Sequence, residues 1–201
     1  MRFLLLRQAY LAHVALHQLH GAVETTEAMI ETGVMLDVAY TDQSRALAAM
    51  GRTERAIEAQ RASARNAPTA RRSFQLWSLA TLQHFAGEGD AALKTIARAL
   101  RFAGPDRPLI KAHRAYIALD LGTIVSELET IRRELAASPS GQGYGQFLLG
   151  MIAHLLGDQP KATVHLQAFL RRNASIDETK RLTLREELRR ARLALAEFSS
   201  Q

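Results

Sequence analysis

Apolar residues recur along this chain at the period of a helix, most cleanly near its end. Leu184, Leu188, Ala191, Leu195 and Phe198 follow one another at spacings of 4, 3, 4 and 3, a single stripe on a helix. Asp177–Arg181 and Glu186–Arg190 form i,i+4 pairs on the wet side of that stripe. Ser175, with Glu178 three residues on, reads as a capping box, so the pattern predicts one helix over 176–198. Upstream, apolar-periodic segments alternate with glycines. Gly51, Gly87, Gly122 and Gly157 stand 36, 35 and 35 residues apart. Seven residues before each is a small side chain, Ser44, Ala80, Ala115 and Gly150, which lets a second helix approach closely. Five residues after come Ala56, Ala92, Glu127 and Ala162, small in three of the four. Terminators follow at Pro68, Gly104 and Pro139. The recurrence predicts stacked helix–turn–helix units.

These columns resemble the tetratricopeptide repeat, with its W-x2-L-G-x2-Y, A-x3-F and P positions in units of about 34 residues. The best copy is Gln146-Phe147-Leu148-Leu149-Gly150 followed by Gly157, Ala162 and Leu166. The next runs from Leu76 to Gly104 through Leu79, Ala80, Gly87, Ala92 and Ile96. The copy from Tyr40 to Pro68 carries Gln43 and Gln60 in apolar columns, and the copy from Lys111 to Pro139 carries Lys111, Arg114 and Glu127 there, which predicts a register shift. The resemblance implies an all-α, right-handed α-solenoid of about four hairpins in a single domain. Residues 37–174 hold the repeats, 1–36 a degenerate N-terminal hairpin turning around Gly21, and 175–201 a capping helix over the last hairpin. In this family the first helix of each hairpin lines a concave groove. The matching face here carries Phe74, Trp77, Thr81, His84 and Phe85, then Ala112 and Tyr116, then Tyr144, Phe147, Met151 and His154. Aromatics and methionine suit an interface core. The places where relatives clamp acidic tails with Lys, Arg and Asn hold Thr41, Trp77, Ala112 and Phe147, so no carboxylate clamp is expected. The expected partner is a protein or peptide with a hydrophobic or amphipathic segment. Self-association into a homo-oligomer is the alternative.

Composition narrows the picture. Among 201 residues there is no cysteine, which excludes disulfides and thiolate metal sites and fits a reducing, cytoplasmic compartment. The N-terminal run Phe3–Leu6 is broken by Arg7 and Gln8, so it reads as a buried helix rather than a signal segment, and no stretch suits a membrane span. The net charge is +6. Arg45, Arg52, Arg55, Arg61, Arg65, Arg71 and Arg72 are interrupted by acids, so a solvated face is expected over a nucleic-acid patch. His13, His17 and His20 fall at i, i+4 and i+7 on one helix face, but packing is expected rather than metal binding, with His165 facing solvent on another helix. Gly141–Gly145 is glycine-rich but reads as an inter-repeat turn. With no nucleophile motif, phosphate loop, metal set or cofactor signature, the expected class is a non-enzymatic scaffold or adaptor.

Overall fold

The computed structural model describes residues 1–199, and these are all-α, with twelve α-helices and no strand among the described residues. In order they are α1 (Arg2–Ala15), α2 (Leu19–Glu31), α3 (Leu36–Ala49), α4 (Thr53–Asn66), α5 (Thr69–Phe85) and α6 (Gly89–Leu100). Then come α7 (Arg107–Asp120), α8 (Leu128–Ala137), α9 (Tyr144–Leu155), α10 (Gln159–Arg172), α11 (Glu178–Thr183) and α12 (Arg185–Ser199). The first ten pack as successive pairs, α1 on α2 through α9 on α10. Up to α7, each pair's second helix meets the first helix of the next, whereas α9 leans mainly on α7.

One turn closes all five pairs. At Gly51, Gly87, Gly122 and Gly157 the backbone is left-handed, with φ of 73°, 85°, 73° and 74°. The next residue's N–H then reaches back to the carbonyl five residues before it, as in Arg52 to Leu47 at 2.9 Å and Asp158 to Ala153 at 2.9 Å. This ending satisfies helix carbonyls and favours glycine, which has no Cβ to clash at positive φ. The first pair makes the same turn without glycine: His17 sits at φ 57°, and Gln18 N–H bonds the His13 carbonyl at 2.8 Å. The first turn is therefore at His17, not Gly21. Gly21 lies inside α2, where a Cβ would come within 2.7 Å of the His13 ring. Because α1 ends at Ala15, His13 and His17 do not share a helix face. Among the described residues no cluster of His, Cys, Asp or Glu could hold a metal.

The small columns work as close-packing points. The Ser44 hydroxyl donates to the Ala56 carbonyl at 2.8 Å, and a Cβ on Gly150 would lie 2.5 Å from the Leu166 side chain. Ala80, Ala92 and Ala162 are fully buried. The fourth pair is irregular, as Glu127 warned. α8 starts six residues after Gly122, whereas α4, α6 and α10 start two after theirs, and Glu127 stands outside it as N-cap. Gly141, in the Pro139–Gln142 3-10 turn, is buried, with space for a Cβ closed by the Leu135 carbonyl, so this segment is a tight turn and not a loose one.

α1 buries Phe3, Tyr10 and Val14 but leaves Leu4 and Leu5 exposed, as is Leu16 just after it. His165 is half-buried and bonds Gln146 at 2.8 Å rather than facing solvent. No helix of the described residues is long and apolar enough to cross a membrane.

The C-terminal segment departs from the single helix expected. It is capped by Asp177, whose carboxylate accepts from Lys180 N–H at 2.8 Å, and not by Ser175. It breaks at Leu184 into α11 and α12. The break lets the two parts serve different neighbours: α11 packs on α1 and α3, α12 on α9 and α10. The last two residues of the 175–201 segment lie outside the described residues.

Candidate partner-binding face

The aromatic residues singled out from the sequence do come together. Trp77 stands edge-on to His113 and to Tyr144, with centroids 6.0 and 5.1 Å away. His84 meets Tyr116 at 5.0 Å, Tyr116 meets Phe147 at 5.9 Å, and Phe147 meets Phe169 at 5.4 Å. The rings form one connected network of edge-to-face and tilted contacts across α5, α7, α9 and α10. Such contacts add stability beyond simple burial.

They are not equally open. Phe74 is 44% exposed, and Trp77, Thr81, Phe85, Tyr144 and His154 are half-buried. Ala112, Tyr116, Phe147, Met151 and His84 are buried, at 0, 0, 0, 6 and 4% exposure. Phe147 therefore belongs to the core, and its loss would be felt first in folding. What covers part of this face is the chain itself. Leu188, Ala191 and Ala194 of α12 are buried in one cluster with Tyr116, Phe147 and Met151.

Polar contacts fix how α12 lies. The Tyr144 hydroxyl donates to the Glu187 carboxylate at 2.9 Å. The Arg190 guanidinium donates to the Tyr116 hydroxyl at 3.3 Å and lies 4.6 Å over the Phe85 ring. It also stands 3.8 Å from Asp120, which accepts from His84 Nε2 at 2.7 Å. The segment is tied at its other end too: Arg185 donates to the Ala49 carbonyl at 3.0 Å, and Glu178 stands 3.8 Å from His17. Residues 178–198 thus run from the first two helix pairs to the last.

Burial sets the electrostatics here. Glu187 is 5% exposed, and desolvation pushes its carboxyl up to about 7, with the Tyr144 hydrogen bond opposing the rise. Burial holds His113 down near 3, so it is neutral; its Nδ1 accepts from Trp77 Nε1 at 2.8 Å, and its buried Nε2 has no partner among the described residues. Burial also lowers His84, against the pull of Asp120, and raises the Tyr116 phenol to about 12.

Beside α12 the face is unfilled. A half-open cavity of about 630 Å³ lies between α3 and α5 on one side and the segment from Leu182 to Glu187 on the other. Its floor is Phe74, Trp77, Leu82 and Phe85, and Ser44, Arg45 and Thr81 supply polar groups. A volume of this size suits a small molecule or a few side chains.

Sequence reasoning missed Glu187, Arg190 and His113. The sequence pattern puts Arg190 on the wet side and gives Glu187 no role, and only the course of α12 across the rings turns them inward. The Glu186–Arg190 pair is present at 3.0 Å. The basic stretch is divided: Arg71 makes a two-pronged pair with buried Asp37 at 2.7 and 2.9 Å, Arg45 pairs with Asp42, and Arg52, Arg55, Arg61 and Arg65 are exposed. No protein-family model, curated protein or solved structure matches this chain.

Proposed function

We propose that this chain is a non-enzymatic, tetratricopeptide-like helical scaffold, arranged as a right-handed solenoid, that binds a helical segment of another protein on its ring-lined face. The observation that carries the reading is that this face already accepts a helix, α12, through a buried leucine, two alanines and charge-specific contacts. Helix-in-groove recognition of this kind uses anchors at i, i+3, i+4 and i+7. The five like turns and the small-residue columns support the repeat reading. A cytoplasmic workplace goes with it.

A photo-crosslinking residue placed at Phe74, on the open rim of the cavity, tests the reading in the full chain. The control is the same residue at Glu129, exposed on α8. We expect a discrete adduct in lysate from position 74 that position 129 does not give. Equal, diffuse labelling from both would remove the groove. For an identified partner, Phe74→Ala should cost about 2 kcal/mol of binding if Phe74 is an anchor.

Self-association is the second reading. Met1, Leu4, Leu5, Val34 and Met35 are all exposed around the first pair, leaving an apolar edge. Light scattering over a range of concentrations separates the two: a strict monomer removes self-association.

A further inference from the structure

The C-terminal segment is an ill-fitting occupant of the ring-lined face. A permanent cap buries large apolar side chains along its whole stripe. Here α11 buries no residue fully, and α12 fully buries one large aliphatic side chain, Leu188, beside Ala191 and Ala194. At the centre of the contact it buries a carboxylate, Glu187, which is costly to desolvate with a single side-chain donor. It also leaves the cavity of about 630 Å³ at its N-terminal end unfilled, where Leu182 and Leu184 reach the wall but do not occupy the space. Natural cores are close-packed, and side chains bordering empty space forfeit contacts. The segment joins the body through Ala174 and Ser175, both exposed, so it can leave without unfolding α10.

We propose that residues 178–198 are a displaceable resident ligand, and that the external partner is an amphipathic helix repeating the α12 code with a bulkier apolar residue at the Leu184 position. The code is read from the contacts. An acidic residue meets the Tyr144 hydroxyl, and a leucine follows it in the core. An arginine three residues after the acid sits between the Phe85 ring, Tyr116 and Asp120. Small residues fall four and seven places after the acid, where Ala191 and Ala194 are 0 and 2% exposed. The bulky residue three places before the acid fills the cavity over Trp77 and Phe74, and this contact lets the partner outcompete a tethered rival. The proposal rests on the groove reading above.

The test uses labelled synthetic peptides of residues 178–198 and the full-length protein. In the variant Ala191→Glu the chain's own segment cannot seat, and we expect it to bind the native peptide at least ten-fold more tightly than the wild type does. A Leu184→Trp peptide should bind more tightly still, and an Arg190→Glu peptide should not bind. Hydrogen exchange on the unmodified protein gives a second measure if the variant fails to fold: amides of 188–194 should exchange at least ten-fold faster than those of α9. Equal peptide affinity for wild type and a folded variant, or equal exchange in α12 and α9, would overturn the proposal. If a folded variant takes no peptide while the Phe74 adduct persists, the code falls and the groove stands. Loss of both takes the groove with it.

Discussion

Where α3, α4 and α5 meet, the buried side chains include Thr41, Gln60, Ser63 and Gln75; where α7, α9 and α10 meet, they include Tyr116, Phe147 and Phe169. The first seam is a hydrogen-bond network. The Gln75 side-chain oxygen accepts from Thr41 at 2.8 Å and from Gln60 at 3.0 Å, and Ser63 donates to the Asp37 carbonyl at 2.7 Å. The second is a set of touching rings, Tyr116 edge-on to Phe147 and Phe169 tilted against it. Hydrogen bonds are directional and costly to leave half made, so the polar seam fixes one register between its helices. Dispersion and apolar burial are not directional, so they constrain less tightly what packs on the ring face, and there polar contacts from α12 set its position. The two regions share α5: Gln75 and Leu79 are buried in the body, whereas Phe74, Trp77 and Phe85 line the cavity, which Thr41 and Gln60 of the polar seam also border.

The sharpest way to break the contrast is to hollow out the ring face. Phe147→Ala removes a fully buried ring that touches Tyr116, Tyr144 and Phe169. Loss of such a side chain costs about 3–5 kcal/mol. Urea unfolding should show a drop of that size in stability and a loosened α12; a drop below about 1 kcal/mol would mean that the rings do not form a packed core.

A second test acts through pH. The Glu187 carboxyl is raised from 4.5 to about 7, so docking of α12 favours its protonated form. That contribution is fully present below pH 4.5 and is lost as pH rises through 7, amounting to about 3 kcal/mol. His113, held near 3 by burial, works the other way and removes stability as pH falls below 6.5. The comparison must therefore be between variants. Relative to wild type, Glu187→Gln should gain stability by up to about 3 kcal/mol between pH 4.5 and pH 8. Parallel melting curves across that range would show that Glu187 is not buried by the docked helix.

Smaller again is the effect expected in the polar seam. Gln75→Met keeps volume but removes the acceptor shared by Thr41 and Gln60. Thr41 retains contacts to Asp37 and Ser63, and the Gln60 amide retains the backbone carbonyl of residue 75. Losing part of a satisfied network should cost about 1–3 kcal/mol without changing α12. A gain in stability would show that the seam is held for specificity rather than for energy.

How far the sequence announced all this follows from which interactions are local. Glycines at φ near 70° are a local demand of the helix ending, so four turns were legible from spacing alone. Gln60 was visible as a misfit in an apolar column, but its partner Gln75 was not, since it lies on another helix. Glu187 and Arg190 look like ordinary surface charges because their burial depends on where α12 lies, a matter of tertiary packing. The break at Leu184 has the same origin: the apolar stripe is continuous, but its two halves answer to different neighbours. The helical spacing groups rings that do touch one another, but the covering of part of that face by the chain's own end depends on tertiary packing and is not visible in the spacing.

The first turn was missed because a histidine stands where the other four pairs have glycine. The clue was Ala22, five residues after His17 and fully buried, which continues the column of Ala56, Ala92 and Ala162. His17 also lies 34 residues before Gly51. A non-glycine residue at φ 57° bears a Cβ–carbonyl clash of roughly 1–2 kcal/mol. Its side chain is 70% exposed, and its one ionic neighbour, Glu178, is 3.8 Å away, so little packing is lost by removing it. His17→Gly should therefore raise stability slightly, by about 0.5–1 kcal/mol, net of the extra backbone freedom that glycine gives the unfolded chain. The same substitution reversed, Gly51→His, should lower it by a similar amount. If His17→Gly instead destabilises the protein, the contact with Glu178 is holding α11 against the first pair, and the strained turn is retained for that contact.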